Sequence, residues 1–191
     1  ANIYAIDFDK CMSDISKDFD GFYQRYSDDF ILVLNIEKLI DKYGEDYVEK
    51  VNEIIEDLSK TNRIYLQLEK IKTYFIKDKI VIDNNDRVCQ IDYLGFSFDG
   101  KNVKLREKSI YKFYRNARKL IYDSKVIQKR KGLAKLPNRH KIYSLYTDFG
   151  RSKYYPSNFI SYAKRAQYIF DKISPNTNNL MLAQLKNRKK K

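Results

Sequence analysis

The 191-residue chain predicts an α+β fold, with a strand-bearing part over residues 1–105 and an all-α part over 106–191. Three observations carry that reading. Apolar residues recur at helical spacing near the start and throughout the last third, and between 63 and 98 they come in short runs broken by turn residues. Charge also divides sharply along the chain: residues 1–99 carry 13 Lys/Arg against 21 Asp/Glu, net −8, and residues 100–191 carry 25 against 4, net +21. One part concentrates carboxylates and the other suits a polyanion. With 43% apolar residues, the chain can bury a core for one or two domains. Cys11 and Cys89 are far apart and lack zinc-type spacing, which excludes a disulfide framework and a zinc knuckle. No run of 18 apolar residues and no signal-peptide pattern occurs, so a cytoplasmic chain without membrane contact is expected.

In chain order, residues 1–18 read as a helix, with Ile3, Tyr4, Ile6, Phe8, Cys11, Met12 and Ile15 on its apolar side. Gly21 ends it, and residues 22–35 read as a hairpin because Tyr, Phe, Ile, Val and Leu flank a Ser-Asp-Asp turn. Residues 45–59 carry Tyr47, Val48, Val51, Ile54, Ile55 and Leu58 at the spacing of an amphipathic helix lying across a sheet. Short strands are expected at 63–68, 71–76, 79–83, 87–92 and 94–98, punctuated by Asn84-Asn85-Asp86 and Asp99-Gly100. Helices follow near 107–128, 138–146, 156–173 and 177–189, punctuated by Pro137, Pro156 and Pro175 with Ser157 and Ser174 nearby. No internal repeat is evident.

The hairpin Tyr23-Gln-Arg-Tyr-Ser-Asp-Asp-Phe-Ile-Leu-Val-Leu34 lifts two adjacent carboxylates, Asp28 and Asp29, to an exposed tip. Adjacent carboxylates repel, and a divalent cation between them relieves that repulsion. Such a tip suits two-metal phosphoryl or nucleotidyl transfer. Hard oxygen ligands favour Mg²⁺ or Mn²⁺ over Zn²⁺. The plain alternative is a solvated Ser-Asp-Asp turn.

Tyr26-Ser27-Asp28-Asp29, flanked by Arg25 and the apolar run 30–34, resembles the catalytic hairpin of reverse transcriptases. Three further stretches resemble that family in its order. Ala1-Asn-Ile-Tyr-Ala-Ile-Asp-Phe-Asp-Lys10 is similar to the tail of the motif B helix. Leu66-Gln-Leu-Glu-Lys-Ile-Lys-Thr73 is similar to motif D, and Tyr93-Leu-Gly-Phe-Ser-Phe98 to the motif E primer grip. The stretch from Asp99-Gly100 through Lys104-Leu-Arg-Glu-Lys-Ser-Ile-Tyr-Lys-Phe-Tyr-Arg115 most resembles prokaryotic enzymes of the abortive-infection and phage-defence groups.

The resemblance implies a partial polymerase palm over residues 1–105, an antiparallel sheet with helices on one face, and a basic helical thumb over 106–191. Motif A and the Gly-Gln centre of motif B have no counterpart here. The chain is therefore expected to be the C-terminal portion of such a polymerase, its upstream palm and fingers lying in the same chain or supplied by another; a homo-oligomer stays open. Asp7 and Asp9 lie too close to Asp28 to serve as motif A, and helix surface or hairpin packing is expected for them.

The resemblance also implies residue roles. Asp28 and Asp29 are the metal ligands and catalytic carboxylates, with Asp28 bearing more of the burden. Lys72 matches the motif D lysine, which neutralises charge or donates a proton at the departing pyrophosphate; otherwise it is a surface lysine on an edge strand. Tyr26 and Ser27 would face primer and template, although strand packing also explains Tyr26. Tyr93, Leu94, Gly95 and Phe96 would form the primer grip, and an ordinary hairpin would look similar. The substrates implied are deoxynucleoside triphosphates, added to a 3′ end or to a protein hydroxyl.

In the basic part, aromatic and cationic residues interleave: Tyr111 to Arg118 with Arg115 and Arg118, Ser152-Lys-Tyr-Tyr155, and Tyr162-Ala-Lys-Arg165. Cations release counterions from phosphates and aromatic faces stack on bases, so DNA or RNA is the expected partner. Lys129, Arg130 and Lys131, with Lys186-Asn-Arg-Lys-Lys-Lys191, add sequence-independent attraction, unless they are simply solvated. His140 carries no assigned chemistry, and the 17 tyrosines offer no choice of a priming residue. Two other readings stay open: a non-catalytic nucleic-acid-binding module, and a palm of the nucleotide-cyclase type.

Overall fold

The computed structural model describes residues 3–147, 158–174 and 180–187. After a 3₁₀ turn at Ile3–Ala5 come α1 (Ile6–Asp18), β1 (Phe22–Tyr26), β2 (Asp29–Val33), α2 (Ile36–Tyr43), a 3₁₀ turn and α3 (Tyr47–Thr61). Then follow β3 (Tyr74–Lys77), β4 (Ile80–Asp83), β5 (Ile91–Tyr93), β6 (Phe96–Phe98) and β7 (Val103–Leu105). Four helices complete the order: α4 (Glu107–Lys131), α5 (Arg139–Tyr146), α6 (Phe159–Ile173) and α7 (Leu180–Asn187). The fold is mixed α+β. Among the described residues its strands form three small antiparallel sheets, β1-β2, β3-β4 and β5-β6-β7. Among the described residues, no helix is long and apolar enough to cross a membrane.

The chain divides into two compact units, Ala1–Lys72 and Thr73–Lys191. In the first, α1 and α3 cover one face of the β1-β2 hairpin. Phe8 and Met12 of α1 and Ile55 of α3 are buried, with Tyr23, Phe30, Leu32, Val51 and Leu58 packed around them. Burying one such side chain contributes about 1.5–3 kcal/mol, so this seam fixes which hairpin face turns inward. Tyr23 and Arg25 take that face while Phe22, Gln24 and Tyr26 look outward. At the hairpin's open end, a Cβ on Gly21 would lie 2.0 Å from the Val33 carbonyl oxygen, so only glycine fits there.

Two local expectations fail in this unit. The sequence pattern assigns no element to residues 36–43, yet they form α2, whose Asn35 cap accepts from the Glu37 N–H at 2.9 Å. The pattern predicts a strand over 63–68, but only a 3₁₀ turn at Leu68–Lys70 lies there. Ile64 and Leu66 do alternate inward, as strand residues would, and both pack into the core. Among the described residues this segment pairs with no strand, so extended backbone never becomes a ladder.

The second unit begins with the β3-β4 hairpin, shorter than the expected strands at 71–76 and 79–83, and Val81 on it is fully buried. The strand expected at 87–92 reduces to a bridge between Ile82 and Val88 followed by β5, and that at 94–98 reduces to β6. β7 has no counterpart among the expected strands. Leu105 and Ile110 share a core with Ala163, Ala166, Met181 and Leu185, so the β5-β6-β7 sheet packs with α4, α6 and α7. Gln184 of α7 pairs its side-chain amide with the Leu105 backbone, accepting from the N–H and donating to the carbonyl, both at 3.0 Å. That pair of bonds satisfies the outer edge of β7 at the buried Leu105. Helix α6 opens with a capping box between Asn158 and Ser161. Expectations at Pro156, Ser157, Pro175 and residues 152–155 and 188–191 fall outside the described residues.

Candidate functional site

β1 and β2 are joined by two residues, Ser27 and Asp28, beyond the last strand pair Tyr26–Asp29. Ser27 has φ +55, and it alone of the two turn residues is left-handed. A positive φ at the first turn position matches the right-handed twist of a hairpin, which is how the chain reverses in two residues. Asp28 and Asp29 are both exposed, as expected for a tip. Asp28 Oδ1 accepts from the Ser27 hydroxyl at 3.3 Å. Asp29 opens β2 opposite Tyr26, which is 67% exposed, so aromatic ring and carboxylate share the outward face.

Behind the tip lies an arrangement that sequence spacing does not announce. Arg25 donates through Nε and Nη2 to the two carboxylate oxygens of Asp9, at 2.7 and 2.6 Å. Its Nη1 donates to the Ser27 carbonyl at 2.8 Å. The Tyr23 hydroxyl donates to Asp9 Oδ1 at 2.7 Å. Arg25 foremost, aided by the Tyr23 hydroxyl, holds the Asp9 carboxyl below its usual range against the opposing effect of burial. Burial and the bond to Asp9 push the Tyr23 phenol upward. Asp9 thus takes the hairpin-packing role. The available signal is Tyr23 and Arg25 spaced two apart on one strand face, behind a helix bearing an acid.

Asp28 and Asp29 are the oxygen donors at the tip that could hold a hard divalent cation. Among the described residues no three His, Cys, Asp or Glu side chains gather, so the pair would need water, substrate phosphates or a further carboxylate to complete a shell. Lys72 is exposed in the link between the Leu68–Lys70 turn and β3, not on a strand.

In the other unit, Leu94 and Gly95 form the two-residue turn of the β5-β6 hairpin, with φ of +47 and +87. Both central residues are left-handed, the type I′ pattern, and Leu94 is strained there where Gly95 is not. The Gly95 carbonyl accepts from the Arg106 N–H at 2.9 Å, tying the turn to the start of α4. Leu94 is 40% exposed, while Phe96 packs on α6 with its ring 6.0 Å from Tyr162 and 5.3 Å from Phe170. An open apolar cleft of about 460 Å³ lies beside it, rimmed by Arg165.

Helix α4 buries Ile110, Ala117 and Ser124, one residue every two turns. Tyr111, Arg115, Arg118, Tyr122, Lys125 and Lys129 follow one another at alternating spacings of four and three, which sets them on one exposed stripe. The Arg115 guanidinium sits 6.0 Å from the Tyr111 ring. Lys129, Arg130 and Lys131 are exposed in the last turn, where the helix dipole also favours cations. On α6, Lys172 lies 4.3 Å from the Tyr168 ring. The described basic residues therefore keep their charge at the surface. Compared with models of known protein families and with curated proteins, the chain matches none.

Proposed function

We propose that this chain is the later palm and the thumb of a reverse-transcriptase-type nucleotidyltransferase of the prokaryotic defence-associated kind. The observation that carries the reading is the exposed end of the β1-β2 hairpin, where Asp28 in the two-residue turn is followed by Asp29 at the start of β2. The ordered motif resemblances and the net +21 of residues 100–191 support it.

In this reading Asp28 and Asp29 would hold Mg²⁺ or Mn²⁺, which when bound stabilises charge on the transferring phosphoryl group and activates the attacking hydroxyl. Tyr26 would orient the primer terminus from the outward face. Lys72 would stand as the proton donor to pyrophosphate, and the Tyr93–Phe96 hairpin as the primer grip. Arg115, Arg118 and the 129–131 cluster would hold backbone phosphates without reading sequence. The upstream carboxylate of the family's motif A would complete the metal shell.

Primer extension by the natural-length protein with deoxynucleoside triphosphates and Mg²⁺ or Mn²⁺ tests this. Replacing Asp28 and Asp29 together by Asn should cut incorporation at least about a thousandfold, since a metal supplies several kcal/mol and about 1.4 kcal/mol is a factor of ten. Undiminished incorporation by the double variant sinks the catalytic reading. A second reading, a nucleic-acid-binding module without catalysis, draws on the missing counterpart to the family's motif A together with the net +21 of residues 100–191. Its signature is metal-independent, salt-sensitive binding with no incorporation.

A further inference from the structure

One guanidinium makes three of the hydrogen bonds behind the carboxylate tip. Two go to Asp9 on α1, at 2.7 and 2.6 Å, and the third goes to the carbonyl of Ser27, inside the turn itself, at 2.8 Å. Arg25 is therefore a bridge from a helix to the one residue of the turn whose backbone is strained. Its side chain is 14% exposed and that of Asp9 is 33% exposed, so the fork is sheltered and better held than a surface pair. A serine at φ +55 costs on the order of 1 kcal/mol relative to ordinary backbone. A two-residue turn without that tether can relax to other geometries, and each would rotate Asp28 relative to Asp29. Two ligands on adjacent residues bind one ion well only if their mutual orientation is fixed beforehand.

We propose that Asp9 and Arg25 are positioning residues, which pin the Ser27 carbonyl so that Asp28 and Asp29 are presented together to a divalent cation. The proposal rests on the metal-bearing reading of the tip. Arg25 acts on the turn directly and Asp9 acts through Arg25. Neither touches the ion. Lysine cannot replace Arg25, because one ammonium lacks the planar fork that grips two carboxylate oxygens and a carbonyl together. Tyr23 reaches Asp9 but not the turn, which makes it the informative contrast.

The experiment is Mn²⁺ binding to the natural-length protein, followed by electron paramagnetic resonance without nucleotide or nucleic acid, with thermal unfolding of each variant alongside. Wild type should bind Mn²⁺, and Asp28→Asn with Asp29→Asn should abolish that binding. Arg25→Lys should weaken it about tenfold, the usual cost of removing an outer-shell partner. Tyr23→Phe, which loses a hydrogen bond to Asp9 but keeps the tether, should stay within about threefold of wild type. If Arg25→Lys does not fold, Asp9→Asn keeps the shape and one acceptor oxygen and should give an intermediate loss. Arg25→Lys binding like wild type overturns the clamp while the Asp28/Asp29 result still supports the metal site. Equal losses in Arg25→Lys and Tyr23→Phe overturn it too, since the effect would then be general loosening of the hairpin. Wild type indistinguishable from the double Asn variant removes both the metal reading and the clamp.

Discussion

Asp99, in the link between β6 and β7, shows how far one carboxylate can be tuned by a turn. It accepts from Lys104 Nζ at 2.8 Å and from the N–H groups of Asn102 and Lys101 at 2.7 and 3.1 Å. Burial works against its ionisation, yet these donors outweigh burial and hold its pKa at about 2, from an ordinary 3.8. A carboxylate more acidic when folded stabilises the fold above its unfolded pKa, and that stability is lost as pH falls through the folded value. Asp99 should thus contribute on the order of 2 kcal/mol at neutral pH, lost between about pH 4 and 2. Chemical denaturation of Asp99→Asn should show a lower midpoint at pH 7 and a shallower fall in stability across that acid window. Asp9, lowered by Arg25, adds to the same acid sensitivity with the same sign.

At the scale of elements, turns rather than strands decide what this chain presents. Leu94-Gly95 needs both residues left-handed, and the residue type that most readily takes the first position is Asn. Leu94→Asn should raise stability by about 1 kcal/mol. If Leu94 contacts a primer, the same variant should bind nucleic acid more weakly even as its melting temperature rises, the trade expected where strain serves a surface. Asp78→Asn in the β3-β4 turn, whose Asp78 and Lys79 also have positive φ, should stabilise without weakening binding. Differential scanning calorimetry and filter binding on the two variants separate strain kept for contact from strain merely tolerated. These hairpins also show what a sequence can and cannot reveal. The Asp28-Asp29 tip is legible because a turn signal lies between two apolar runs, a wholly local pattern. α4 is legible for the same reason, since its period is its own. The segment 63–68 misleads because alternation records burial, and a ladder needs a partner that local pattern does not specify. α2 escapes the hydrophobic pattern although Asn35, Glu37 and Gly44 mark its ends. The Asp9–Arg25 bridge is hidden for a different reason: it joins a helix to a strand 16 residues apart, and pairings of that kind are set by packing.

Over the whole molecule, the dominant fact is charge. Residues 100–191 carry a net +21 and residues 1–99 a net −8, and the described cations of the basic part are at the surface. Like charges at this density repel, and the nucleic acid proposed as partner would relieve that repulsion, whereas a solvated helix face would not. The α4 stripe sets Tyr111 and Tyr122 on either side of Arg115 and Arg118, an order that would suit stacking and phosphate contact along one line in the proposed reading. Binding should then fall steeply with salt and depend little on sequence. Replacing Lys129, Arg130 and Lys131 together by Ala should flatten the slope of log K against log salt by up to roughly 3, about one for each phosphate no longer neutralised. Replacing Tyr111 and Tyr122 by Ala should leave that slope nearly unchanged while lowering affinity for single strands by about 1–3 kcal/mol per stacked base. Fluorescence anisotropy over a salt series reads both quantities at once. A triple variant with the wild-type slope would mean that the cluster at the end of α4 is only a solvated cap favoured by the helix dipole, and a wild-type protein with no salt-sensitive binding would remove the proposed nucleic-acid role altogether.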